Sequence, residues 1–223
     1  MDTGLHYKPA MWVGGDYCDM WALEGGRMAF VIGDVSGKGL PAAMVMSSLQ
    51  AALRTTMSFC TDPAEAMAHL DKHLSDSMLE RMFITMFLGV FDPVSGTLEY
   101  VNAGHILPIV LGADGTAEPL GKPTNPPVGV FVGTFEADKK IIAPDSGILV
   151  VTDGITEAMD PEGEEFGTER LRQTVASTAG KSATEMVTIV NDAAAAFRND
   201  LPQQDDITIF ALRNVGVSDE ITQ

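Results

Sequence analysis

Apolar residues change their spacing several times along this chain, and the order of those changes narrows the fold more than composition does. Met28 to Ile32 is a continuous apolar run and reads as a buried strand. After Pro41, Ala42, Val45, Leu49, Ala52 and Thr56 recur at helical spacing and predict a helix to about Phe59. Asp62-Pro63 supplies an N-cap and a first-turn proline for a second helix to about Leu79. From Phe83 the pattern becomes that of strands. Phe83 to Phe91 turns at Asp92 to Gly96 and returns through Thr97 to Asn102. Ile106 to Leu111, Thr134 to Ile142 and Ile148 to Val151 extend the run. After an acidic loop at Glu162 to Gly167, helical spacing comes back at Thr168 to Ser177 and Ala183 to Phe197. Ser182 and Glu185 form a capping box for the latter helix. A final strand is expected at Ile207 to Leu212. Two helix pairs can cover the two outer faces of stacked sheets. The expected class is therefore α+β, a four-layer α-β-β-α sandwich of two antiparallel sheets flanked by helix pairs. An α+β domain with one sheet is the alternative.

Composition excludes several functions. With 45% hydrophobic residues the chain is globular. Its formal net charge is −17, with no cluster of Lys and Arg, so a nucleic-acid-binding surface is not expected. Much of the acidity belongs to a solvated surface, but Asp and Glu are also the hard ligands of cation sites. Cys18 and Cys60 lie far apart without zinc spacing. Two cysteines do not make a secreted disulfide scaffold, so a cytoplasmic location is expected. No apolar run reaches the roughly 18 residues of a membrane span, and no signal-peptide pattern follows Met1.

Acidic motifs stand at strand ends: Gly14-Gly15-Asp16, Gly33-Asp34-Val35, Thr152-Asp153-Gly154 and Gln204-Asp205-Asp206. Taken singly, each reads as Asp-Gly turn chemistry or a loop. Taken together they suggest more, because carboxylates gathered at one place repel unless a cation neutralises them. An all-oxygen donor set selects Mg²⁺ or Mn²⁺ over Zn²⁺. Neighbouring glycines let a backbone carbonyl approach as a further ligand. Two such cations lower the pKa of a shared water and clamp a phosphoryl group.

Other candidates fail. Gly33 to Gly39 is not a phosphate loop, because Gly33 to Gly37 is one residue too short and Gly39 follows Lys38 where Ser or Thr is needed. A nucleotide-dependent kinase or ATPase is thereby disfavoured. His69 and His73 are four apart on the second helix, but no zincin arrangement accompanies them, and they read as helix surface. His105 ends Asn102-Ala103-Gly104-His105, a turn between strands, with a substrate contact left open.

These residues resemble the metal-dependent protein phosphatase superfamily of the protein phosphatase 2C type, and within it the bacterial SpoIIE-like and RsbU-like serine phosphatases. The carriers are Pro9 to Tyr17, Asp34 to Gly39, Asn102 to His105, Thr152 to Ala158 and Asp205 to Thr208, in the family's order along nearly the whole chain. The resemblance implies the α-β-β-α sandwich and a site for two Mn²⁺ or Mg²⁺ ions between the sheets. It implies that Asp34 bridges the ions and that the Val35 carbonyl helps hold one, with Asp16 as a further ligand to that ion, directly or through water. Asp153 and Asp205 match the ligands of the other ion. The family pattern favours Asp205 over Asp206, while strand alternation leaves either to face inward. Asp19 belongs to the extended first motif with its role open. Eukaryotic relatives carry a histidine two residues after the bridging aspartate; here that residue is Ser36.

The implied reaction is hydrolysis of phosphoserine or phosphothreonine by a metal-activated water. The implied substrate is a phosphorylated anti-sigma-factor antagonist. Residues 1 to 223 are expected to form one catalytic domain cut from a longer signalling protein, with a sensor or receiver domain upstream and a homodimer compatible with it. A non-catalytic scaffold for the same partner is the rival reading, against which the intact set of aspartates argues. The helix from Pro41 to Phe59 begins directly after the Asp34 loop and is either a lever on the site or a plain core helix, with Arg54 taken as one of its surface positions. Lys38 is either a phosphate contact or a solvated loop residue.

Overall fold

The computed structural model describes residues 1–75, 82–130 and 133–216. Within them run ten strands and five α-helices. One sheet has the order β1-β10-β9-β6-β7, built from β1 (Asp2–Lys8), β10 (Ile207–Arg213), β9 (Gly147–Val151), β6 (Ile109–Leu111) and β7 (Ala117–Pro119). The other has the order β2-β3-β4-β5-β8, from β2 (Asp16–Ala22), β3 (Met28–Val35), β4 (Ile84–Asp92), β5 (Thr97–Ala103) and β8 (Asp138–Ile141). All named strand pairs are antiparallel. Helices α1 (Leu40–Met57) and α2 (Pro63–Ser75) cover the β3–β4 sheet, and α4 (Gly167–Ala176) and α5 (Ala183–Arg198) cover the β9–β10 sheet. The four-layer sandwich is the expected one.

Strand alternation sets which side chains meet between the sheets. On β3, Phe30 and Ile32 join the inter-sheet core, while Ala29 and Val31 face the helices. On β9, Ile148 and Val150 point inward and Leu149 and Val151 point to the helices. Phe210 of β10 stacks on Phe30 at 4.8 Å between ring centroids, which joins the two sheets through their middle. The same parity carries Asp34, Thr152 and Thr208 to the inter-sheet side at one end of the sandwich.

Several expected bounds shift for identifiable reasons. The helix expected from Pro41 to Phe59 runs from Leu40 to Met57, with Gly39 before it and Ser58 as its C-cap. The expected end of the second helix, residues 76 to 79, lies outside the described residues. Ile106 to Leu111 is a strand only from Ile109, because Pro108 lacks an amide for the ladder. The strand expected from Thr134 narrows to Asp138–Ile141. The Ser182–Glu185 capping box is present. Strands β1, β2 and β7 and the single turn α3 (Asp153–Thr156) add to the expected set. Among the described residues no helix is long and apolar enough to cross a membrane.

Candidate metal centre

The register of β2, β3 and β4 builds one wall of the site. Asp16 pairs with Asp34, and Asp34 pairs with Thr85, so these residues form a row across three strands. The other sheet contributes Asp153, which opens α3 directly after β9, and Asp205, which precedes β10. Asp34, Val35, Asp153 and Asp205 all line one cleft of about 630 Å³. Asp16 does not line it. That carboxylate is 3% exposed, and its Oδ2 accepts hydrogen bonds from Thr152 Oγ1 at 2.8 Å and Thr208 Oγ1 at 2.6 Å. It therefore ties the β2 edge of one sheet to the centre of the other.

The neighbouring aspartates divide cleanly. Asp206 accepts from the amides of Ala10 and Gly15, both at 2.7 Å, and so holds the loop that leads into β2. Asp205 faces the cleft and receives the Lys38 ammonium at 2.8 Å. Lys38 also donates to the Gln204 carbonyl at 3.0 Å. The lysine is thus a counter-ion of Asp205 in this structure. Asp19 lies on the opposite parity of β2 and turns to the helix layer. Arg54 of α1 grips its two oxygens at 2.7 and 2.6 Å while stacking over Trp21. Arg54 is consequently a tie between α1 and β2, where a plain surface position was expected.

Electrostatics explain why the cleft favours a cation. Burial, then the charges of Asp16, Asp153, Asp205 and Asp206, pushes Asp34 up to about 8. Burial also raises Asp16 to about 7 against the pull of its two threonine hydroxyls. Burial and the Glu157 charge raise Asp153 to about 6. Among the described residues nothing donates a hydrogen bond to the Asp34 side chain, and no three His, Cys, Asp or Glu side chains converge into a closed ligand cluster. The carboxylates instead stand around the cleft as separate groups that repel one another.

Two glycines permit these approaches. A Cβ at Gly15 would sit 3.0 Å from the Val35 carbonyl oxygen, so glycine keeps that oxygen uncrowded. A Cβ at Gly154 would overlap the Asp206 carbonyl oxygen, so glycine lets α3 close onto the start of β10. An all-oxygen donor set, mutually repelling carboxylates and an uncrowded backbone carbonyl fit hard divalent cations.

Other cleft residues were less legible. Ser36 accepts from the Phe83 amide at 2.8 Å and closes its loop onto the strand layer. Asn102 and His105 close the expected turn, with Asn102 Oδ1 accepting from the His105 amide at 2.8 Å. The His105 ring is buried at the cleft, where Nδ1 meets the Thr85 hydroxyl at 3.1 Å. Burial lowers its pKa to about 4, so the ring is neutral. Glu157 and Glu165 also line the cleft. Glu157 lies within the Thr152 to Ala158 motif, one turn beyond Asp153, a spacing that offered a signal for it.

This arrangement of sheets and helices is the architecture of protein phosphatase 2C domains. The SiaA-PP2C domain of Pseudomonas aeruginosa superposes with a TM-score of 0.84, covering 95% of this chain and 84% of that one at 23% identity. The family model for stage II sporulation protein E (SpoIIE) matches residues 24–215. Protein IcfG of Synechocystis sp. is 33% identical, over 92% of this chain and 37% of that protein. Phosphoserine phosphatase RsbP of Bacillus subtilis is 27% identical, over 70% of this chain and 39% of that protein. The chain belongs to the SpoIIE family. It spans well under half the length of these two relatives.

Proposed function

We propose that this domain is a metal-dependent serine/threonine phosphatase that hydrolyses phosphoserine or phosphothreonine on a protein. The observation that carries the reading is the meeting of Asp34 from one sheet with Asp153 and Asp205 from the other around one acidic cleft. Membership of the SpoIIE family and similarity to a phosphoserine phosphatase support it. In this reading Asp34, the Val35 carbonyl and Asp16 would help hold one Mn²⁺ or Mg²⁺ ion, and Asp34 with Asp153 and Asp205 a second. Bound there, such ions would supply an activated water and charge neutralisation for phosphoryl oxygens. The chain's own residues position that chemistry. Asp16 is fixed by Thr152 and Thr208, Asp206 anchors the loop before β2, and Lys38 holds Asp205 as its counter-ion.

The proposed partner is a phosphorylated anti-sigma-factor antagonist in the cytoplasm. The proposed context is a single catalytic domain, residues 1 to 223, in a longer signalling protein with an upstream sensor or receiver domain. A homodimer is consistent with that context. Hydrolysis of a simple phosphate ester during Mn²⁺ titration, with bound metal counted, tests the core of this reading. Two ions per chain and loss of turnover on chelation are expected. Full turnover in chelator-treated protein refutes it.

A further inference from the structure

A second cavity, of about 610 Å³, shares His105, Ile106 and Thr168 with the acidic cleft. Its character is different. Ile106, Leu107, Ile109, Pro119, Pro123 and Leu171 make an apolar lining. Ile109 and Leu171 are 4% and 1% exposed and belong to the core under α4 and α5, so this floor is preformed and rigid. The arginine at its rim is already committed. Arg172 grips Glu169 at 3.0 and 2.8 Å and also donates to the Ala117 carbonyl. Glu118, on the same rim, is a carboxylate. Among the described residues no unpaired cation lines the cavity to receive an acidic residue or a second phosphate.

We infer that this cavity is a substrate subsite for an aliphatic or aromatic side chain a few residues from the phosphorylated one. The inference rests on the phosphatase reading above. From a phosphoserine held at the aspartates, one path for the flanking chain runs past the shared wall of His105, Ile106 and Thr168. On the far side of that wall the chain meets an apolar hollow whose lining arginine, Arg172, is already paired with Glu169, which rewards burial of an apolar side chain and penalises a charged one. The domain thereby distinguishes among phosphoproteins by a residue that is not itself phosphorylated.

The test uses Mn²⁺-loaded protein, a small phosphate ester, and phosphoserine peptides of glycine and serine in which one leucine is moved position by position along the chain. Leucine at one offset should raise kcat/KM by about tenfold or more, the usual effect of filling an apolar pocket. Leu107→Asp and Pro123→Trp, which alter only this cavity, should each abolish that peak and leave ester hydrolysis unchanged. A flat leucine profile, or a peak that survives both variants, overturns the subsite while the phosphatase reading stands. Loss of ester hydrolysis in both variants also overturns it, because the cavity then belongs to the catalytic geometry. Absence of ester hydrolysis in the wild-type protein overturns the phosphatase reading and the subsite with it.

Discussion

At the scale of single residues, the site stores unfavourable electrostatics that a cation would relieve. The pKa of Asp34 in the folded chain, about 8, exceeds its ordinary 3.8. Between those values the folded chain holds a proton that the unfolded chain has released, so stability from this group falls as pH rises through the window. Asp16 and Asp153, raised to about 7 and about 6, act in the same direction. Chelator-treated protein should therefore melt at a higher temperature near about pH 6 than near about pH 8, and saturating Mg²⁺ should flatten the difference. Scanning calorimetry at both pH values decides this; a higher melting point at the alkaline end contradicts it. Asp34→Asn and Asp153→Asn should each cut turnover by more than about a hundredfold, beyond what loss of an outer-shell group costs. Both should melt above the wild type when metal-free, since each removes a repelling charge. Lys38 adds a competition. Its ammonium occupies Asp205 at 2.8 Å, so Lys38→Ala should bind Mn²⁺ severalfold more tightly in a calorimetric titration. Unchanged affinity would mean that the ammonium leaves without cost.

At the scale of elements, α1 is coupled to the site through a strand. Arg54 holds Asp19 near the middle of β2, and Asp16 begins the same strand. Arg54→Glu sets two carboxylates against each other and should lower both Mn²⁺ affinity and stability, the latter by about 1 kcal/mol for a partly exposed pair. Arg54→Lys, which keeps the charge and loses the two-pronged grip, should fall between. Equal metal affinity in all three proteins would make α1 a passive layer. Legibility in the sequence followed the same physics. Long helices with one buried face, such as α1 and α5, announced themselves by period, and β4, buried on both faces, by its continuous apolar run. Two edge strands did not: β1 (Asp-Thr-Gly-Leu-His-Tyr-Lys) and β2 are only partly buried and carry polar residues that a half-exposed edge tolerates. The one-turn α3 was hidden inside an Asp-Gly pair that reads equally as a turn. In the site, the choice between Asp205 and Asp206 was illegible because it depends on which carboxylate meets the amides of Ala10 and Gly15, nearly two hundred residues away in sequence. The pairing of Arg54 with Asp19 was hidden for the same reason.

At the scale of the whole molecule, a net charge of −17 opposes an approaching phosphoprotein. Salt screens that repulsion over about 10 Å at 0.1 M. For an acidic phosphoprotein, kcat/KM should rise with ionic strength in the low-salt range, and for a small ester it should change much less. Equal salt dependence for both would remove long-range repulsion from the account. The path of the chain has a separate consequence. It passes from one sheet to the other after β1, back after β5, across again after β7 and back after β8. No single cut divides it into a piece holding one sheet and a piece holding the other. Because Asp34 comes from one sheet and Asp153 and Asp205 from the other, neither sheet can be inherited, expressed or engineered as half of the acidic cleft awaiting its complement. In the language of gene fusion and fragment exchange, the domain is one indivisible cassette.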